Sequence, residues 1–196
     1  MDYQAAKQFI ISKLRDELSD KLHYHGVHHT LDVLKMAAEI AENEGVGSHN
    51  ITLVKTAALY HDCGFVENKH EGHEAVGCRI VRENLPGFGY TATDIETICS
   101  MIMATKIPQS PKNILEEILC DADLDYLGRK DFFQIGQTLF EELQAYHLLN
   151  DEQAWNRLQV SFLSAHRFHT TTNKLLREPV KLRYLEDLKE LVMSYE

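Results

Sequence analysis

Apolar residues recur at spacings of three and four along almost the whole chain, and no stretch of any length alternates as a half-buried strand would. The pattern predicts an all-α fold. Gly, Pro and polar turn residues break it at 44–47, 63–69, 85–89, 107–111, near Gly128 and at 170–173. Between the breaks the predicted helices are 2–19, 28–44, 50–63, 70–85, 92–105, 112–127, 131–149 and 151–168, with a ninth from Pro179 to Tyr195. Thr93 and Asp131 are expected N-caps, Pro179 suits a first helical position, and Gly64 is expected to close its helix in a left-handed conformation. The expected architecture is therefore a single-domain helical bundle over residues 1–196, with no linker long enough to divide it and no internal repeat.

A chain of 196 residues can bury roughly two thirds of its unfolded surface and needs no disulfide to hold a core. No apolar run approaches the roughly 20 residues that span a bilayer, and the N-terminus mixes charges into its apolar positions as a helix does, not as a secretory signal. A cytoplasmic protein with no membrane partner is expected. The formal charge of −10 argues against a nucleic-acid polymer as partner, and an anionic substrate would need a locally positive site. Cys63, Cys78, Cys99 and Cys120 form no CxxC pair, so buried reduced thiols are expected in place of a structural zinc site.

Helical phase singles out a few polar residues on apolar faces. In 28–44, His28, Asp32, Lys35, Glu39 and Glu42 fall within about 80° of one another and form the solvent face, whereas His29 shares its side with Val33, Met36, Ala37 and Ile40. His29 points inward. In 50–63, His61 lies in phase with Val54, Ala57 and Ala58 on a helix that is apolar nearly all round, and burying it beside Asp62 is costly without a compensating charge. A metal ion compensates both. Of three nearby aspartates, Asp123 shares a side with Leu119, Cys120, Tyr126 and Leu127, while Asp121 and Asp125 lie opposite. An EF-hand reading of the same run fails, because Tyr126 and Phe132 stand where glycine and glutamate are needed.

These residues resemble the H…HD…D pattern of the HD-domain superfamily of metal-dependent phosphohydrolases. Tyr24-His25 through His29 to Val33 looks like the family's YHxxxHxxxV segment, His61-Asp62-Cys63-Gly64 matches HDxG, and Ala122-Asp123-Leu124 resembles the ADxL segment. The likeness covers roughly residues 22–130, with 131–196 completing the bundle. It implies an HD-type helical fold. Phe65-Val66 stands where the (p)ppGpp hydrolases have the Glu-Asp of HDxxED, and Phe65 also occupies the position where the bacterial deoxynucleotidases place a glutamate. The cyclic-di-GMP branch needs a GYP segment and further histidines, yet none occurs between His73 and His147. One metal is expected, with His73 either beside the ligands or on the surface.

The expected ligands are His29, His61, Asp62 and Asp123, a mixed nitrogen and oxygen set that suits manganese, iron, nickel, cobalt or zinc and magnesium less well. Asp62 is the candidate for accepting or orienting the water proton, ahead of Glu67. Lys106, Lys69, Arg79 and His73 are candidates for binding the phosphate, and His23 and His25 flank the first ligand. His166 and His169 are expected to be structural and Trp155 to pack in the core. The expected activity is metal-dependent hydrolysis of a small phosphorylated metabolite, foremost a nucleotide, with monoester or diester left open. The alternative is a catalytically silent HD domain that binds a nucleotide as a regulatory module. A homo-oligomer is left open.

Overall fold

A computed structural model describes residues 1–67 and 72–195. Its α-helices are α1 (Tyr3–Glu17), α2 (Val27–Asn43), α3 (Ser48–Tyr60), α4 (His73–Asn84), α5 (Ala92–Ala104), α6 (Ile114–Asp123), α7 (Phe132–Ala145), α8 (Glu152–Ala165), α9 (Thr171–Leu176) and α10 (Glu178–Met193). Three short 3-10 segments, Cys63–Glu67, Leu85–Phe88 and Asp125–Gly128, join them, and no strand occurs among the described residues.

Two apolar clusters organise the bundle. The first gathers the buried faces of α1 to α6 around α3, whose Val54, Ala57, Ala58, Leu59 and Tyr60 have no exposed surface. A helix surrounded on all sides by others has no polar face to spare. The second cluster joins Tyr24 to Leu124, Tyr126, Leu127, Phe132, Leu163, Phe168, Leu185 and Leu188. Tyr24, just ahead of α2, and the turn after α6 thus link the two halves. All four cysteines are buried free thiols.

Several local expectations need correction. Thr91, not Thr93, caps α5: its hydroxyl accepts from Asp94 N at 3.2 Å while the Asp94 carboxylate accepts from Thr91 N at 3.1 Å, a reciprocal capping box. Asp131 does precede α7, but its carboxylate is taken by Arg129 at 2.9–3.0 Å and caps nothing. Helix α3 stops at Tyr60 and α6 at Asp123, three and four residues before the expected ends, so the HD pair and Asp123 sit at helix termini, where backbone direction changes. Gly64 is not left-handed, unlike Gly45, Gly72 and Gly89. Its requirement is space, because a Cβ there would overlap the His73 carbonyl and lie within 2.8 Å of His73 Cα.

Helix α9 falls where a break was expected. Asp121 explains it, accepting the N–H groups of His169 and Thr170 at 2.8 Å and the Thr170 hydroxyl at 2.6 Å. Thr170 in turn caps α9 through Asn173 N, and Asn173 reaches back to Asp125 at 3.1 Å. The aspartates on either side of Asp123 therefore tie the C-terminal helices to α6.

Candidate metal centre

The ends of α2, α3 and α6 bring His29, His61 and Asp123 together, with ligand atoms all within 4.8 Å of one another. His29 Nε2 lies 3.1 Å from Asp123 Oδ1 and 3.4 Å from His61 Nε2, and His61 Nε2 lies 3.4 Å from Asp123 Oδ1. Asp62 Oδ2 completes the group at 3.1 Å from His61 Nε2 and 3.4 Å from His29 Nε2. His61 Nδ1 donates to Ala58 O at 2.9 Å, which places a proton on that nitrogen and turns Nε2 toward the cluster. The Tyr24 ring, 4.5 Å from that of His29 between centroids, backs the second imidazole.

The electrostatics of this cluster call for a cation. Burial favours neutral carboxyls, yet the imidazoles beside them hold Asp62 well below the usual carboxylate range and Asp123 down to about 2. Burial likewise disfavours a charged His61, but the two carboxylates outweigh it and raise that group well above its ordinary value. Two carboxylates thus stay ionised around a small space. Asp62 Oδ2 is buried and accepts no hydrogen bond among the described residues, close as it is to two ring nitrogens. An orphaned carboxylate oxygen facing two imidazole nitrogens and a second carboxylate fits a divalent ion coordinated by nitrogen and oxygen.

The cluster forms one end of a cleft of about 700 Å³. Asp62, Asp123, His25, His73 and Glu74 line that end, Lys106 is also in the lining, and Tyr126, Leu139, Trp155, Leu158, Gln159 and Phe162 are among those lining the rest. His73 Nε2 lies 3.5 Å from Asp62 Oδ1, and the His25, Phe65 and His73 rings stack in that order with centroids 4.4 and 4.2 Å apart. Arg79 is not among the cleft-lining residues; it pairs with Glu83 at 2.9 Å and with Glu67. Lys69 lies outside the described residues. His23 is exposed, and His166 is buried beside the buried Lys181 ammonium, which donates to the His166 carbonyl at 2.7 Å.

Sequence reasoning missed Glu142 and assigned Trp155 only to the core. Glu142, 2% exposed, accepts Tyr24 N, His25 N and the His25 ring. The signal was present, since Glu142 lies in helical phase with Ile135 and Leu139. Trp155 is buried and stacks on Phe140 at 5.7 Å, but it also walls the cleft.

The model of the HD domain family matches residues 26–125, which spans all four clustered residues. The chain belongs to the HD domain family. Among solved structures it is similar to a predicted HD superfamily hydrolase from an uncultured Thermotogales bacterium, at 20% identity over 96% of this chain and 92% of that one with a TM-score of 0.63. It is similar also to Bacillus subtilis YpgQ in complex with ADP, at 20% identity over 97% of each chain and a TM-score of 0.64. A third likeness is to a Lactobacillus plantarum protein, at 17% identity over 98% and 97% of the two chains with a TM-score of 0.65. At these identities the likeness shows the fold. None of the curated proteins matches the chain.

Proposed function

We propose that this protein is a metal-dependent phosphohydrolase of small phosphorylated metabolites, foremost nucleotides, with one divalent ion held by His29, His61, Asp62 and Asp123. The observation that carries the reading is Asp62 Oδ2, which accepts no hydrogen bond among the described residues and faces two imidazoles and a second carboxylate at one end of the cleft. When bound, such an ion supplies Lewis acidity to a phosphate oxygen and acidifies water near neutral pH.

The chain's own groups supply the rest. Asp62 Oδ1 faces His73 at 3.5 Å and is the atom placed to orient the attacking water. Because its pKa is held so low, it orients the proton more than it stores it. Burial opposes a charge on His25, but the Glu142 hydrogen bond and the Asp62 charge prevail and raise its pKa, which favours the protonated form of this ring on the cleft wall. Together with Lys106 it offers a phosphate two positive groups in an otherwise acidic protein. Lys69 remains a candidate of the same kind, and Arg79, already paired with two glutamates, is set aside. The nucleotide preference draws on the aromatic far end of the cleft and on the ADP complex of the similarly folded YpgQ.

The test is metal analysis of the purified protein combined with a hydrolysis screen over nucleotide mono-, di- and triphosphates and cyclic nucleotides. Near-stoichiometric transition metal, lost in His61→Ala and Asp123→Ala together with phosphate or pyrophosphate release, is the expected result. Metal-free protein that stays inert with every added divalent ion overturns the reading. Nucleotide binding without hydrolysis favours the regulatory alternative.

A further inference from the structure

The cleft continues past the metal end into a slot whose residues take no part in the phosphate chemistry. Its walls are the rings of Tyr126, Trp155 and Phe162 with Leu139 and Leu158, contributed by the turn after α6 and by α7 and α8. One amide interrupts them. Gln159 is 7% exposed, its Nε2 donates to Asn156 Oδ1 at 3.0 Å, and Asn156 Nδ2 donates to Tyr195 Oη at 2.6 Å. With the Tyr195 hydroxyl accepting at its end, this chain of bonds leaves Gln159 Oε1 turned away from Asn156. Its Oε1 accepts no hydrogen bond among the described residues, although the residue lines the cleft. The oxygen opens onto the cleft, where water or a ligand can supply the missing donor.

Gly136 on α7 opens the approach to that oxygen. A Cβ at 136 would lie 3.5 Å from Gln159 Oε1 and 3.6 Å from Trp155 Cζ2, so any larger side chain would project over both. A flat surface, a rigid acceptor and a glycine gap together describe a site for a planar heterocycle carrying an N–H donor on its edge. An aliphatic chain would fill the same walls but leave Oε1 unpaired.

We infer that the slot binds the base of a nucleotide substrate, that Trp155 and Phe162 provide its stacking surface, and that Gln159 Oε1 selects bases bearing an exocyclic amino group. This rests on the reading of the adjoining centre as a phosphohydrolase site. The base and phosphate subsites meet at Asp123, Leu124 and Tyr126, where α6 gives way to the following turn. The chain that holds one ligand of the metal thus also walls the base slot.

Trp155 is the sole tryptophan of the chain, so it reports occupancy of the slot directly. The full-length protein is titrated with adenosine, with purine riboside, which lacks the amino group, with ADP, with inorganic pyrophosphate and with decyl phosphate, following Trp155 emission with and without manganese. Adenosine should quench the emission whether or not metal is present, ADP should do so at lower concentration, and pyrophosphate should leave it unchanged. Purine riboside should bind roughly tenfold more weakly than adenosine, and Gln159→Leu should abolish that difference. Gly136→Val should lose the quenching while binding metal at the wild-type stoichiometry.

Metal binding and phosphate release without quenching by any nucleoside or nucleotide would overturn the slot and leave the hydrolase reading standing. Quenching by adenosine in a protein that neither binds metal nor hydrolyses anything would sink the hydrolase reading and keep the slot. Decyl phosphate binding ahead of ADP would reassign the slot to an acyl chain. An adenosine preference unchanged in Gln159→Leu would remove Gln159 from base selection.

Discussion

Glu142 holds His25 at two points, accepting its backbone N–H at 3.0 Å on one carboxylate oxygen and its ring Nδ1–H at 2.5 Å on the other. The first oxygen also accepts Tyr24 N at 2.8 Å. A single acid on α7 therefore fixes the turn from which α2 and its His29 depart. The C-terminal half of the chain sets the entrance to the metal centre, although the family pattern ends before it.

Glu142→Gln is expected to lower stability by about 2 kcal/mol near neutral and mildly acidic pH, because a charge-assisted bond is replaced by an amide opposite a ring N–H. The pH dependence follows from both partners. Burial works against ionised Glu142, yet its bonds to His25 and the backbone hold it below its ordinary 4.5, so its contribution is present above that value and fades as pH falls through the depressed one. His25 is raised above its ordinary 6.5, so its contribution is complete below that value and fades as pH rises through the raised one. The difference between wild type and variant should peak between 4.5 and 6.5 and shrink toward alkaline pH. Urea unfolding of both proteins across this range checks it.

Asp121→Ala is expected to destabilise the fold by about 3 kcal/mol, since it strands the His169 and Thr170 N–H groups and the Thr170 hydroxyl at the start of α9. Because Asp121 faces α9 and not the ligand cluster, the variant should still bind metal wherever it is folded. Chemical unfolding and metal content measured on the same preparation separate the two effects. Loss of metal from folded Asp121→Ala would contradict the division of labour between Asp121 and Asp123.

The clustered side chains were legible because helical phase is a local property: His29 is buried and His28 exposed, as their shared sides imply. Phase also separated Asp123 from its neighbours, though it gave no hint that Asp121 and Asp125 are buried more fully than Asp123. Each of those carboxylates is hydrogen-bonded by residues about 50 positions later, a pairing no window of sequence contains. The same reason hid α9, a six-residue helix that is held by Asp121 and does not depend on its own periodicity. Helix ends at His61 and Asp123 were overshot because apolar periodicity continues past them, while the chain turns to converge on the cluster.

Gly64→Ala should disrupt the metal end of the cleft although Gly64 touches no ligand. The added methyl would overlap the His73 backbone, so the start of α4, with His73 and Glu74, must move away from Asp62. A clash with backbone has no flexible side chain to absorb it, and a loss of about 3 kcal/mol or more is expected. Gly87→Ala, with nothing within 4 Å of the new Cβ, is the matched control and should change stability by no more than about 0.5 kcal/mol. Thermal unfolding of the two variants in parallel is the measurement.

Metal removal should be visible in stability as well as in activity. An ion that binds only the folded chain stabilises it by about 2.7 kcal/mol at 100 times its Kd, and for a chain of this length each kcal/mol shifts Tm by about 2–4 °C. Manganese at that excess should therefore raise the Tm of chelator-stripped protein by about 5–10 °C. His61→Ala and Asp123→Ala each remove one member of a group whose atoms lie within 4.8 Å, and should abolish the shift. Arg79→Ala, which breaks only the exposed pairs with Glu67 and Glu83, should keep the whole shift. A manganese shift that survives in both His61→Ala and Asp123→Ala would place the ion elsewhere on this acidic protein.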